Sequence, residues 1–169
     1  MPQRKNILLV IETSKSFGRN LLHGIGRFIR ETSARWAVYT EERGKRENLP
    51  TWMKEFHGDG IISHSNSPAM IEALGELGLP LVETDMCGMD RPVPLVYSNE
   101  KALCEMAVTH FTSRGIQKIA WCQLVNREWA NFRHDALLEA LNDAGVELVG
   151  AYRPSRQNPG DWLSQRSAM

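Results

Sequence analysis

The sequence predicts a three-layer α/β fold, built on a doubly wound and mostly parallel sheet. Short apolar runs rich in β-branched residues alternate with longer segments whose apolar residues recur at helical spacing. The connections between them are short, which favours successive strand–helix–strand units. Because ligands of such sheets bind at the carboxyl ends of the strands, the residues that follow each strand are the first place to seek function.

The first half of the chain supplies the clearest elements. Residues 7–11 (ILLVI) form a continuous apolar run, typical of a central strand that is covered on both faces. A helix of about four turns follows, predicted by apolar residues at helical spacing between Leu21 and Ile29. Residues 36–39 predict a second strand. Residues 49–56 predict a short helix with Asn48 as its N-cap, and residues 58–63 predict a turn and a third strand.

Proline and glycine mark the next boundaries. Pro68 at a first helical position predicts a helix that continues to Gly78, before a strand at 80–83 and an extended piece at 95–97. A strand at 116–122, a helix closed by Gly145 and a strand at 146–152 complete the pattern. Before them, a helix from Asn99 is expected to bury one apolar face. That expected buried face consists of Leu103, Met106, Ala107, His110 and Phe111.

Composition excludes several classes of protein. The 169 residues carry 20 basic and 20 acidic side chains, so net charge gives no reason to expect nucleic-acid binding by this segment. The apolar run near the N-terminus ends at Glu12 after five residues, which is too short for export or for a membrane span and predicts a cytoplasmic protein without a membrane partner. Cys87, Cys104 and Cys122 are too few and too widely spaced for a disulfide framework or a zinc site, and no metal or cofactor is expected.

Polar and aromatic side chains follow the predicted strands of the first half. Ser14, Phe17 and Arg19 lie after the first strand, Ser63 ends the third, and Asp85 follows the fourth. Hydroxyls, carboxylates and guanidinium groups pair donors and acceptors with sugar hydroxyls, so these five residues are candidates for binding a carbohydrate. The alternative for the first loop is that Ser14 or Ser16 only caps the helix.

A second group of candidates comes from the other half: Asn99, Trp129 and Arg133. Trp129 can stack on the apolar face of a sugar ring, and Arg133 can donate forked hydrogen bonds to its hydroxyls. A tryptophan that opens an amphipathic helix is also a common core residue. His110, on the expected apolar face, is interpreted as a packed and hydrogen-bonded histidine.

Known enzyme motifs are missing from the sequence. The pair Gly24 and Gly26 imitates half of a dinucleotide fingerprint, but it lies inside the predicted helix and residue 29 is isoleucine. There is no Gly-x-x-x-x-Gly-Lys-Ser/Thr loop and no Gly-x-Ser-x-Gly elbow. The chain is therefore expected not to be an enzyme, and no catalytic residues are predicted.

Taken in order, several segments resemble the periplasmic-binding-protein-like sensor domain of bacterial sugar-responsive regulators. Within that group they look most like the xylose operon regulators of the AraC family; the segments are 7–11, 14–28, 58–62, 79–82, 96–111, 115–120 and 127–137. The resemblance implies a sugar effector, xylose first, bound between two lobes and coupled to DNA binding by a C-terminal helix-turn-helix part that is absent from this chain. Many members have an aspartate where this chain has Ser98 or Asn99, which is expected to alter sugar preference.

The resemblance also implies a division into lobes. Residues 1–115 are expected to form the N-terminal lobe of an effector-sensing domain and residues 116–169 a partial second lobe, with homodimerisation covering exposed apolar faces. The alternative is a flavodoxin-like or receiver-like domain that binds a phosphate-containing ligand at the loop 13–18. A third possibility is an exported sugar-binding protein for transport, against which the short apolar run argues.

Overall fold

A computed structural model of the chain describes residues 3–42, 49–65, 67–86, 90, 92–123 and 127–153. The chain divides into two compact units, Met1–Tyr97 and Ser98–Met169. Asn48 and Cys87 lie outside the described residues. No helix in the described part of the chain is long and apolar enough to cross a membrane.

The first unit is a parallel sheet with helices on both faces. Its elements are β1 (Lys5–Ile11), α1 (Ser16–Thr32), β2 (Trp36–Glu42), α2 (Thr51–Lys54), β3 (Gly60–His64), α3 (Pro68–Gly75) and β4 (Leu81–Glu83). The strand order is β2-β1-β3-β4, and every adjacent pair is parallel. Leu95 adds an isolated parallel bridge to Glu83.

Alternation along β1 builds the three layers. Leu8 and Val10 are buried in a cluster with Met53 of α2 and Leu74 of α3. Ile7, Leu9 and Ile11 point to the opposite face, where they pack with α1 through its residues 21, 22 and 25. The prediction of a doubly wound three-layer sheet is therefore confirmed for the first unit.

Helix ends differ from the sequence expectations in three places. Helix α2 begins at Thr51 with Pro50 at its N-cap, two residues after the N-cap position that the sequence predicted. Helix α3 has Pro68 in its first turn as predicted, but it ends at Gly75 instead of Gly78, which takes a φ of 65° in the turn towards β4. Helix α1 has Lys15 at its N-cap without a side-chain hydrogen bond, so neither Ser14 nor Ser16 caps it.

The second unit contains α4 (Glu100–Thr112), β5 (Lys118–Cys122), α5 (Glu128–Ala144) and β6 (Glu147–Tyr152). Strands β5 and β6 are parallel, with a register shift between Ile119 and Ala120. Gly145 closes α5 in the left-handed conformation, as predicted.

The buried face of α4 is not the predicted one. Glu100, Cys104 and Val108 are buried at spacings of four residues, and the latter two pack in a cluster with Leu137 of α5. Met106, expected in the core, is 69% exposed. His110 is exposed as well, although its ring lies 3.0 Å from the Arg114 guanidinium. The largest apolar side chains were therefore a poor guide to which stripe faces α5.

The chain passes from the first compact unit to the second between Tyr97 and Ser98. The sequence placed the boundary between its two expected lobes later, after residue 115. The reason for the earlier division is the packing of α4, whose Cys104 and Val108 share a cluster with α5 and with Val146. Helix α4 therefore belongs to the second unit.

Candidate ligand-binding sites

The carboxyl ends of β1, β3 and β4 lie at one edge of the sheet, because all three strands are parallel. We call this the carboxyl edge, and it comprises residues 12–15, 64–65 and 84–85, together with Phe17 from the first turn of α1. Four of the five sequence candidates of the first unit lie there or in the first turn of α1. Ser63 lies one residue deeper, within β3.

A buried carboxylate organises the carboxyl edge. Glu83 is 0% exposed, and its Oε1 accepts hydrogen bonds from the backbone N–H groups of Ser65, Thr84 and Asp85 at 3.1, 2.8 and 2.9 Å. Its Oε2 accepts from the Ser65 hydroxyl at 3.0 Å. A buried charge is stable only when it is hydrogen-bonded in this way. Glu83 therefore fixes the loop after β3 against the end of β4.

Thr84 continues this network to an aromatic pair. Its hydroxyl lies 2.9 Å from the backbone oxygen of Ser63 and 3.2 Å from Nδ1 of His64. The His64 ring stacks on Phe17, with centroids 4.7 Å apart and planes 32° apart. Phe17 remains 52% exposed. The pair thus presents an aromatic surface at the carboxyl edge.

The loop after β1 surrounds a second carboxylate. Glu12 accepts a hydrogen bond from the Ser14 hydroxyl at 2.6 Å and one from Lys15 Nζ at 3.3 Å. The Ser14 hydrogen bond is the main cause that lowers the pKa of Glu12, with Lys15 contributing. An ionised carboxylate, paired with Lys15, therefore occupies the loop after β1.

The start of α1 packs unusually close to the end of β1. A Cβ added to Gly18 would lie 1.9 Å from the backbone oxygen of Glu12, so no larger residue fits without a backbone shift. Arg19 Nη1 donates to the backbone oxygen of Thr13 at 2.8 Å and supports the same loop. Both contacts fix the loop that carries Ser14.

The candidates of the first unit differ in their access to a ligand. Ser14, Phe17 and Arg19 are exposed, and Asp85 is buried at the edge with its N–H bonded to Glu83. Ser63 is 0% exposed, and its hydroxyl has no hydrogen-bond partner among the residues that the structure describes. Its placement leaves no open route for a sugar to reach that hydroxyl.

In the second unit, helices α4 and α5 bring Glu100 together with the candidates Trp129 and Arg133. Arg133 donates from Nε and Nη2 to the two carboxylate oxygens of Glu100 at 2.5 and 3.0 Å. Its guanidinium carbon lies 4.9 Å from the centre of the Trp129 ring. The hydrogen bond to Glu100 is the main cause that raises the pKa of Arg133. This geometry holds the guanidinium firmly and leaves part of it open, since the side chain is 28% exposed.

Asn99 precedes this pair as the N-cap of α4. Its Oδ1 accepts a hydrogen bond from the N–H of Ala102 at 3.0 Å, which satisfies one of the free donors of the first turn. The side-chain amide nitrogen is not used in that bond. Asn99 is exposed, so the nitrogen is accessible to a ligand.

A separate polar network closes the end of β5. Trp121 Nε1 donates to Gln123 Oε1 at 2.6 Å, and Gln123 Nε2 donates to Asn131 Oδ1 at 3.2 Å. Gln123 is buried. This network ties the carboxyl end of β5 to α5, and it satisfies a tryptophan that the sequence did not single out.

Sequence reasoning missed Glu83, Glu100 and His64 as organising residues. Glu83 and His64 lie at or next to the ends of predicted strands. Their position at the expected ligand-binding edge of the sheet could therefore have identified them. Glu100 looked like an ordinary acidic residue in a first helical turn, which complements the helix dipole. Its pairing with Arg133 depends on how α4 packs against α5, which no local pattern contains.

The chain is similar in sequence to a known family model and to known regulatory proteins. Residues 6–89 match the family model described as the XylR N-terminal domain. The chain is 22% identical to the xylose operon regulatory protein of Escherichia coli K12 over 95% of this chain, and 23% identical to that of Haemophilus influenzae over 99%. The predicted resemblance to xylose operon regulators is confirmed by these matches. The chain spans 42% and 44% of the length of these two relatives.

Solved structures support the same fold. The structure of the xylose-binding transcription activator XylR superimposes with a TM-score of 0.76 at 21% identity, covering 98% of this chain and 42% of that chain. The arabinose-binding protein AraP of Geobacillus stearothermophilus gives a TM-score of 0.71 at 13% identity, covering 90% of this chain and 57% of that chain. The chain therefore has the periplasmic-binding-protein-like α/β fold. Within the described residues, no group of three or more His, Cys, Asp or Glu side chains is arranged to hold a metal ion.

Proposed function

We propose that this chain, whose residues 6–89 match the XylR N-terminal domain, is the effector-sensing module of a xylose-type transcription regulator and is not an enzyme. That match is the observation that carries the proposal, because it spans every strand end of the carboxyl edge, from Glu12 to Asp85. The effector is proposed to be a pentose, with xylose the first to test.

The chemistry of the carboxyl edge supports a sugar as the ligand. A pyranose offers hydroxyls that both donate and accept, together with an apolar ring face. Ser14 and Asp85 supply polar groups at the edge, and Phe17 supplies a half-exposed ring for stacking. Arg19 acts by holding the loop through Thr13. We assign Ser63 a packing role, because it is fully buried.

The second unit adds hydrogen-bond donors. Of the five N–H groups of Arg133, two are used by Glu100. Those that remain lie on a guanidinium already fixed by Glu100 and Trp129, so little conformational entropy is lost when they bind. Asn99, which directly precedes Glu100, offers an exposed amide nitrogen. We propose that Arg133, Asn99 and Trp129 are the sugar-contacting residues of the second unit.

Signalling requires that the sugar bind two states of the protein with different affinity. We propose that binding shifts an equilibrium between an open and a closed form. A helix-turn-helix part outside this chain is proposed to convert the shift into DNA binding. The regulator is proposed to act in the cytoplasm as a homodimer.

Calorimetry on the product of the complete reading frame tests the proposal. D-xylose, L-arabinose, D-ribose and D-glucose are titrated separately into the wild type, and we expect heat of binding from a pentose. Loss of charge-assisted hydrogen bonds in Arg133→Ala should weaken binding by about 10- to 100-fold. Arg133→Lys keeps the positive charge beside Glu100 without the fork, and it should also bind less tightly.

Arg114→Ala is the matched control, because Arg114 is an exposed arginine of the same unit that bonds only to His110 in the described structure. Circular dichroism checks that each variant is folded. The proposal is wrong if no monosaccharide binds the wild type. It is equally wrong in its assignment of Arg133 if a folded Arg133→Lys protein binds as tightly as Arg114→Ala.

A further inference from the structure

We infer that His64 is a ligand residue of the carboxyl edge, whose Nε2 accepts a hydrogen bond from a hydroxyl of the effector. The inference rests on the proposed function for the class of ligand. It is carried by the hydrogen bonds of Thr84, which fix the tautomer of the imidazole, and by the stacking of His64 on Phe17.

The tautomer follows from the single proton of the Thr84 hydroxyl. Thr84 Oγ1 lies 2.9 Å from the backbone oxygen of Ser63, which can only accept, and an approach of two oxygens at that distance without a proton between them is repulsive. The Thr84 hydroxyl therefore donates to Ser63. The second contact of Oγ1, 3.2 Å from His64 Nδ1, is then a hydrogen bond only if Nδ1 carries the proton. In neutral His64 the lone pair is consequently on Nε2.

The position of Thr84 is itself determined by the core. Its N–H contacts both the Ser63 backbone oxygen and Glu83 Oε1 at 2.8 Å, and its side chain is buried. Glu83 is fully buried and held by four donors. The imidazole is therefore attached, through Thr84, to the hydrogen-bond network of Glu83.

Phe17 restrains the plane of the His64 imidazole ring. A centroid distance of 4.7 Å with planes 32° apart lies in the range of favourable aromatic pairs. The contact with Phe17 sets the plane of the His64 ring, and the bond from Nδ1 to Thr84 sets which way its nitrogens point within that plane. No described residue bonds to Nε2, and His64 is only half-buried.

Because His64 Nε2 is held in place as an acceptor, it favours a ligand with a hydrogen-bond donor at that position. A sugar hydroxyl fits, because it can give its proton to Nε2 while it accepts a bond from another group. A ligand that lacks the proton at that position leaves Nε2 without its bond and is bound less tightly. His64 is thus expected to discriminate between sugars that differ at one hydroxyl.

The tautomer is measured by long-range nitrogen–proton NMR on protein labelled with 15N-histidine, with the resonances of His64 identified by their loss in His64→Gln. We expect a protonated Nδ1 and an unprotonated Nε2 in the free wild type. Thr84→Val, which removes the hydroxyl and keeps the shape, should abolish that preference. A wild type in which Nε2 carries the proton would overturn the inference whether or not a sugar binds.

Ligand discrimination is measured by calorimetry with xylose and its singly deoxygenated analogues. His64→Phe keeps a ring for Phe17 and removes both nitrogens, so xylose should bind about 3- to 10-fold more weakly. One deoxy analogue that the wild type disfavours should bind His64→Phe about as well as xylose does. His57→Phe is the control, since His57 is exposed and outside the edge. Discrimination that is the same in His64→Phe and in the wild type would overturn the inference, whereas a wild type that binds no sugar would overturn the proposed function.

Discussion

Replacing Glu83 tests whether one buried carboxylate determines the geometry of the carboxyl edge. Two substitutions separate its charge from its shape. Glu83→Gln keeps the size and one carbonyl oxygen, and Glu83→Leu keeps the approximate volume and removes every acceptor. We expect both proteins to be less stable than the wild type, and Glu83→Leu to be the less stable of the two.

The magnitude follows from the four hydrogen bonds. In Glu83→Gln the carbonyl oxygen can occupy the Oε1 position and keep the three N–H donors of Ser65, Thr84 and Asp85. The amide group can donate to the Ser65 hydroxyl, which then rotates. Each of the three bonds loses about 1 kcal/mol when its acceptor becomes neutral. Because the desolvation cost of a buried charge is removed at the same time, the net loss is about 1–3 kcal/mol.

Glu83→Leu removes the acceptor that Glu83 supplies to the N–H groups of Ser65 and Asp85 and to the Ser65 hydroxyl, whereas the Thr84 N–H keeps the Ser63 backbone oxygen. Each buried group that loses its acceptor costs about 1–3 kcal/mol, so a loss of about 3 kcal/mol or more is expected. That amount is a large part of the total stability of an ordinary domain, about 5–15 kcal/mol. Part of the Glu83→Leu protein should therefore be unfolded already at 37 °C.

Urea unfolding followed by circular dichroism measures the free energies. Hydrogen exchange of peptides covering residues 60–65 and 81–86 localises the change. Glu76→Gln is the control, because Glu76 is an exposed acid at the end of α3 and should change stability by less than about 0.5 kcal/mol. If Glu83→Gln and Glu76→Gln have the same stability, with equal exchange at 81–86, the carboxylate does not organise the edge.

Further predictions concern the helix ends and the cysteines. Asn99→Ala should lower the free energy of unfolding in urea by about 1 kcal/mol, because the N–H of Ala102 loses its acceptor. Asn99→Asp should retain most of the wild-type stability, since its carboxylate can accept the same bond. Equal stability of the Ala and Asp variants would contradict this. Gly18→Ala should lower the melting temperature and increase exchange at residues 11–15, because its Cβ would meet the Glu12 backbone oxygen at 1.9 Å; an unchanged exchange profile would show that the close approach is not required. Burial raises the pKa of the Cys104 thiol, whereas Cys122 is exposed, so iodoacetamide at pH 8 should alkylate Cys122 much faster by peptide mass spectrometry.

The elements of the first unit were predictable because its signals are local. The run at residues 7–11 needs cover on both faces, and the alternation of Leu8 and Val10 with Leu9 and Ile11 meets that need in the structure. Pro68 and Gly145 marked helix ends because their backbone preferences are intrinsic. Parallel order then followed from the short connections.

The second unit shows where local signals fail. Helix α4 has two candidate apolar stripes, and the one with smaller residues, Cys104 and Val108, is buried because it faces α5. The compact units divide between Tyr97 and Ser98, whereas the sequence suggested a lobe boundary after residue 115, because the loop that follows α4 is a stronger local break than the extended residues before it. Arg133 was singled out as an unusual residue, yet its partner Glu100 depends on tertiary contact.

The order of the strands has a consequence for how the chain is made. β1 leaves the ribosome before β2, β3 and β4, yet it lies inside the sheet, between β2 and β3. Until residues 60–64 have been synthesised, one edge of an almost entirely apolar strand has no partner, and nascent chains on neighbouring ribosomes carry the same bare edge. The yield of folded protein in a cell is therefore expected to depend on how quickly translation passes from residue 42 to residue 64, and much less on its speed beyond β4.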